Sequence, residues 1–266
     1  CCHLEALGDR DGVLKAKTEM FDFMNENPII LLNGDDDKLC TVEEVDGQKP
    51  VFFGLEDSNA YYATDIESLG LKGTRCTLHL ADGNTVTAQI HIPGNHMVYN
   101  ALAGAAAGCA LGLTPEEIKA GIEKLVPVAG RNNLIETEHL LIIDDCYNAN
   151  PISMKASIDV LNMAIGRRVA VLGNMGELGD TAEVLHAEVG TYAAQQNVDL
   201  VCGIGDLTHA LVEEASRGTH TQALWFADNE SFIQAIPDII KDGDNVLVKA
   251  SHGMNFPQIV HALEEL

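Results

Sequence analysis

The sequence predicts an α/β protein in two parts: a sheet with a small antiparallel sheet and helices over residues 1–127, then a parallel, doubly wound sheet over residues 128–266. Three observations carry this. From residue 140 onward, short apolar runs alternate strictly with segments of helical periodicity, the pattern of a parallel sheet covered by helices. Before that, two strand-like runs flank Asp82-Gly83, a hairpin signature. Hydrophobic residues make up 46% of the chain and aromatics only 5%, so the core is aliphatic and alanine-rich, as in layered α/β proteins.

In chain order, residues 12–24 place Val13, Ala16, Met20 and Phe23 at helical spacing, and Pro28 marks entry into a buried strand over 29–32 that Asn33-Gly34-Asp35 ends. Strands follow over 50–55, 60–64, 75–81 and 84–92 and together suggest the small antiparallel sheet. Residues 97–111 form a helix of small side chains. Its Gly104 and Gly108 each cost about 1 kcal/mol against alanine, which close packing on a sheet explains. A second helix over 114–125 opens with Thr114-Pro115-Glu116-Glu117: an N-cap, a first-turn proline and acidic residues that suit the positive end of the helix dipole. The character changes near Pro127. Beyond it come strand 140–144, helix 152–164, strand 168–172, helix 182–195, strand 199–203, helix 207–216, strand 223–226, helix 230–240, strand 245–249 and helix 255–265.

Sixteen Lys+Arg against 40 Asp+Glu, a formal net charge of −24, leave no basic patch for a nucleic-acid groove or an anionic membrane surface. A bound phosphate then needs local help from backbone N–H groups, single arginines or divalent metal. Seven cysteines, odd in number and without C-x-x-C pairing, fit a reducing cytosol rather than a zinc site or a disulfide scaffold. The longest apolar stretch, 101–113, is too short and too rich in Ala and Gly to span a bilayer, and no export signal opens the chain. We therefore expect a cytoplasmic protein. The chain does not begin with methionine, so we also expect a fragment of a longer one.

Four clusters could carry chemistry. His3 and Lys17, with Glu5 and Asp9 nearby, could surround one ion, although on spacing alone a solvated helix lysine and a loop histidine are the better account. Gly94-Asn95-His96-Met97-Val98-Tyr99-Asn100 opens the small-residue helix, where His96, the amides and backbone N–H groups could face a nucleotide; a plain cap by Asn95 is the alternative. Gly130-Arg131 and Asp144-Asp145-Cys146-Tyr147-Asn148-Ala149-Asn150-Pro151 lie at the carboxyl end of a parallel strand, where open α/β sheets bind ligands, and turn formation alone explains them poorly. Gly173–Gly179 with His186, and Lys249-Ala250-Ser251-His252-Gly253, follow strands on the same edge. No G-x-x-x-x-G-K-[ST] occurs, so this chain by itself has no loop to cradle a triphosphate.

Taken together, the segments HLEALGDRDGVLKAKTEMFDFM, GNHMVYNALAGAAAG, PVAGRNN, IIDDCYNANPISM, VLGNMGELG and VLVKASHGM resemble the Mur ligase family in order and spacing over the whole length. DDCYNANP and GNMGELG are most similar to the member that joins D-alanyl-D-alanine to UDP-N-acetylmuramoyl-tripeptide in peptidoglycan synthesis, and no D-N-P-R tetrapeptide of the diaminopimelate- or lysine-adding relative is present. The resemblance implies that residues 1–127 are the C-terminal part of the central ATPase domain and residues 128–266 a Rossmann-like last domain, with the front domain and the P-loop upstream. It implies ATP and Mg²⁺, a carbamate on Lys17 and magnesium binding by His3. It sets Asn100 at the adenine with His96 beside it, and Arg131 and Asp145 over phosphates and ribose. Tyr147, Asn148 and Asn150 then line the nucleotide, and Lys249 and Ser251 stand at the dipeptide end. The implied reaction passes through an acyl phosphate, is gated by closure of the last domain and is run by a monomer. Met97 and His252 depart from the family pattern, where asparagine and arginine are common. Without the P-loop, this chain alone is expected to be inactive. The rivals are another amide ligase of the superfamily, such as a folylpolyglutamate-type enzyme, and a non-catalytic remnant that binds nucleotide or a partner.

Overall fold

The computed structural model describes residues 4–266. Two compact units divide at Pro127, where the strand–helix alternation begins: Leu7–Val126, and Pro127–Leu266 together with residues 4–6. No helix among the described residues is long and apolar enough to cross a membrane.

After a single turn, α1 (Leu4–Leu7), the first unit carries α2 (Arg10–Thr18). The Asp9 side chain accepts the Gly12 N–H at 2.8 Å, which starts α2 earlier than apolar spacing suggests. At its other end the Thr18 hydroxyl donates to the Leu14 and Lys15 carbonyls, and the chain tightens into a 3₁₀ helix over Glu19–Phe23 instead of continuing as α-helix to residue 24. One five-stranded sheet follows in the order β1 (Leu31–Asn33), β2 (Val51–Gly54), β3 (Tyr61–Ser68), β4 (Thr74–His79), β5 (Thr85–Ile90).

This sheet corrects the antiparallel expectation. β1, β2 and β3 run parallel, and only β3–β4 and β4–β5 are antiparallel. Alternating strands look the same in either sense, and the β2–β3 pairing rests on just two residue pairs that the loop between them arranges. Helix α3 (Met97–Ala110) packs its small buried face on the sheet, and Gly108 lies against Ile118 of α4 (Pro115–Glu123), which a Thr114–Glu117 capping box starts.

The second unit is a doubly wound sheet in the order β10-β9-β8-β11-β7-β6, formed by β6 (Asn133–Glu136), β7 (Leu141–Asp144), β8 (Arg168–Gly173), β9 (Leu200–Ile204), β10 (Gln222–Phe226) and β11 (Asn245–Lys249). β7 to β11 are parallel. β6, which the sequence does not announce, adds an antiparallel edge by folding back through the Thr137 turn. Helices α5 (Pro151–Asn162), α6 (Ala182–Gln195) and α7 (His209–Ala215) pack side by side, and α8 (Asn229–Ile239) packs with α9 (Pro257–Glu264). Val246 and Val248 join Phe232 and Phe256 in one cluster, while the alternate Leu247 is equally buried outside that cluster, so the two helix sets cover opposite faces. Each fully buried Phe contributes about 1.5–3 kcal/mol relative to exposure.

Candidate active site

In a parallel sheet every strand presents its carboxyl end on one edge, and β11 sits between β7 and β8. The chain leaves β7 and β8 toward the face of α5 and α6 but leaves β11 toward α9 on the other. Loops that part in opposite directions open a crevice. A cavity of about 520 Å³ lies there, lined among others by Tyr147, Asn148, Asn150, Asn174, Ser251 and His252.

The β7 end is stitched to the 130–132 segment. Asp144 accepts the Gly130 N–H at 2.8 Å, Asp145 accepts the Asn132 N–H at 3.1 Å, and the Tyr147 N–H donates to the Gly130 carbonyl at 3.0 Å. Gly130 sits at φ +75°, and a Cβ there would lie 3.2 Å from the Tyr147 nitrogen, so a side chain at this position is both strained and crowded. These bonds bring the Arg131 guanidinium 4.1 Å from the centroid of the half-exposed Tyr147 ring, and the His252 ring lies 5.5 Å from Tyr147 on the other loop. The other five arginines each have a carboxylate within salt-bridge distance; Arg131 alone among the arginines rests on an aromatic face. A guanidinium so placed keeps its forked donors for an anion or a carboxylate. Cys146 is buried behind it with its thiol 3.0 Å from Asp144; burial first, then that carboxylate, push the thiol up to about 12, so it is no nucleophile.

The Gly173–Gly179 loop is held from beneath. His186 is fully buried; its Nε2 accepts the Met175 N–H at 2.9 Å and its Nδ1 lies 2.6 Å from the Ala182 carbonyl, which fixes the proton on Nδ1. Burial holds this imidazole below its usual range. The Gly176 N–H donates to the Ser251 hydroxyl at 2.7 Å, and the Ser251 N–H to the Asn174 carbonyl at 3.0 Å, so the β8 and β11 loops form one wall.

Several expected residues meet at this edge, and some turn out to play other parts. Arg131, Tyr147, Asn148 and Ser251 lie at the rim or in the lining. Asn150 lines the cavity, but its side chain caps α5 by accepting the Ser153 N–H. Asp145 was expected over phosphates and ribose; it is buried, and its oxygens are taken by Asn132, Lys249 and Ser157. Lys249, expected at the dipeptide end, is 2% exposed and absent from the lining, its ammonium bonded to oxygens of Asp145 and Asn148. The strand alternation turns it under α5. Asn174, part of the Gly173–Gly179 cluster, lines the cavity, whereas Ser157 escaped notice. Ser157 had a signal, since it falls in the apolar stripe of Met154, Ile158 and Leu161, where a hydroxyl must find a partner.

In the first unit, Lys17 is exposed on α2, and His3 lies outside the described residues. His96 occupies the N-cap position of α3 without a side-chain cap bond, so Asn95 does not cap that helix; it lends only its carbonyl to the Val98 N–H. Asn100 is exposed one turn in, its amide donating to the Met97 sulfur at 3.3 Å. Beside it the Tyr99 hydroxyl donates to Asp35, which also receives Leu55 N–H and Asn59; burial and then that carboxylate push the phenol up to about 12. Among the described residues, no three His, Cys, Asp or Glu side chains gather as a metal site.

A family model described as the Mur ligase middle domain matches residues 1–108, and one described as the Mur ligase glutamate ligase domain matches residues 130–252. The chain is 35% identical over 267 residues to the UDP-N-acetylmuramoyl-tripeptide–D-alanyl-D-alanine ligase of Escherichia coli (strain K12), an alignment that takes in 99% of this chain and 58% of that protein. It is 33% identical over 267 residues to the ligase of the same name from Bacillus subtilis (strain 168), covering 99% and 57%. Among solved structures, MurF from Acinetobacter baumannii superposes with a TM-score of 0.86 at 29% identity, covering 99% of this chain and 57% of that one. MurF ligase from Thermotoga maritima in complex with ADP gives 0.82 at 26%, covering 99% and 59%. The chain thus spans less than two thirds of the length of these relatives.

Proposed function

The chain belongs to the Mur ligase family, and on that premise we propose that it carries the middle-domain and C-terminal portions of an ATP-dependent ligase joining D-alanyl-D-alanine to UDP-N-acetylmuramoyl-tripeptide. The observation that carries the reading is the alignment of 99% of the chain with ligases of that name. The cavity at the β7, β8 and β11 ends gives it a place for a polar ligand.

In this reading the tripeptide carboxylate oxygen attacks the γ-phosphorus of ATP and ADP leaves. The dipeptide amine then attacks the acyl carbon, loses a proton, and phosphate departs. Arg131, stacked on Tyr147, offers donors to phosphate oxygens, and Asn148, Ser251 and His252 line the wall beside it. Asn100 serves the base of the nucleotide, and His96 is a further nucleotide-binding residue. Lys17 carries a carbamate, which converts an exposed amine into an anionic oxygen ligand. Mg²⁺, when bound, would offset charge on the phosphates, and His3 and the Lys17 carbamate are the residues that would hold it.

The test is a chimera in which this chain replaces the corresponding portion of a relative, assayed with ATP, UDP-N-acetylmuramoyl-tripeptide and competing amines. Preferential consumption of D-alanyl-D-alanine supports the reading; preference for a single amino acid points to another amide ligase. Failure of a folded chimera to consume any amine points to a binding remnant. Intact mass spectrometry under carbon dioxide checks Lys17, where no mass gain removes the carbamate.

A further inference from the structure

The only buried lysine–carboxylate pair among the described residues lies directly beneath the rim of the cavity. Lys249 Nζ is 2.5 Å from Asp145 Oδ2, 3.0 Å from the Asn148 carbonyl oxygen and 3.4 Å from the Asp145 carbonyl oxygen. The two side chains are 3% and 11% exposed. The Ser157 hydroxyl donates to the same Asp145 oxygen at 2.6 Å. Stability does not explain this pair: a lysine and an aspartate both lose hydration on burial, and well-packed apolar residues of similar volume serve a core as well or better.

What the pair does hold is the rim. Asp145 Oδ1 accepts the Asn132 N–H, one peptide from Arg131, and the Asn148 carbonyl that Lys249 binds is one peptide from Tyr147. Arg131 and Tyr147 are the two groups that stack at 4.1 Å. The ammonium on β11 therefore fixes both partners of the stack, which belong to segments more than 100 residues upstream.

We propose that Lys249, with Asp145 as its counterion, is a positioning residue: it clamps the loop after β7 and so presents Arg131 and Tyr147 toward the cavity, without itself touching a ligand. The proposal deepens the ligase reading only in naming what the stack serves; the clamp is tested independently of it.

Amide hydrogen exchange on the purified 266-residue chain is compared for residues 144–150 and for β8 in the parent, Lys249→Met and Lys249→Met/Asp145→Leu. The double variant removes both charges, so neither is left buried without a counterion as in the single one. The expected result is exchange at least tenfold faster over 144–150 in both variants, with β8 protection and the melting temperature of the double variant close to the parent's. Parent-like protection of that loop in both variants overturns the clamp. So does recovery of protection in the double variant, because the ammonium would then merely neutralise its partner. In parallel, ADP binding is measured by calorimetry. If the parent binds ADP and the variants bind at least tenfold more weakly, the stack serves the nucleotide; if the parent binds ADP and the variants bind equally well, the stack does not serve it; if the parent does not bind, as the missing Gly-Lys loop allows, the exchange result alone decides the clamp.

Discussion

Replacing His186 by leucine removes the acceptor that holds the Met175 N–H, in a site with no exposed surface. Leucine fills similar volume, so the main cost is a buried, unsatisfied amide donor, about 1–3 kcal/mol. The sign of the pH dependence follows from the bonding. Neutral His186 accepts at Nε2 and donates at Nδ1; the protonated ring must donate from both, and Nε2 then faces another donor. Burial depresses the folded-state value below the unfolded value of about 6.5. The imidazole's contribution is therefore complete above about pH 6.5 and is lost as pH falls toward the folded value, at no more than about 1.4 kcal/mol per pH unit. Urea unfolding followed by Trp225, the single tryptophan and a member of the same unit, reads this directly. The stability gap between parent and His186→Leu should be about 1–3 kcal/mol at pH 8 and narrow between pH 6.5 and 5. A gap that stays constant down to pH 5 refutes the linkage.

Gly130→Ala puts a side chain at φ +75° against Tyr147 and should cost about 1 kcal/mol or more, read as a lower melting temperature of the Trp225 transition. Asn150→Ala removes the capping box of α5 and should cost about 1 kcal/mol in the same assay, with Asn150→Asp recovering most of it. Peptide mapping after brief alkylation at pH 8 should show exposed Cys40 modified well before Cys76, Cys146 and Cys202, whose thiols burial pushes up to about 11, 12 and 12. The purified chain should release phosphate from ATP far more slowly than an intact ligase; robust release would contradict the expectation drawn from the missing Gly-Lys loop.

Local signals in this chain were strong where one residue's chemistry decides the outcome. Thr114 before Pro115 and Asp82-Gly83 between β4 and β5 act within a few residues, so the amino-acid order announces them. The alternation of β7 to β11 with helices is equally legible, because a parallel strand buried on both faces must be apolar along its length. The sense of β1 to β3 was not, since a half-buried strand alternates identically beside parallel and antiparallel neighbours. β6 was silent because four residues, two of them polar, hold no period.

For the site, the order of residues determined which loops carry polar groups, and strand ends placed Arg131, Tyr147, Asn148 and Ser251 on one edge. It did not determine which charged groups face that edge. Asp145 and Lys249 lie 104 residues apart, and only the register of β11 beside β7, with α5 and Ser157 laid over them, decides that they meet and are closed off from water. A buried charge is settled by its neighbours in space: the cost of losing water is met only where a counterion and further donors converge, and that convergence is a property of the packed sheet.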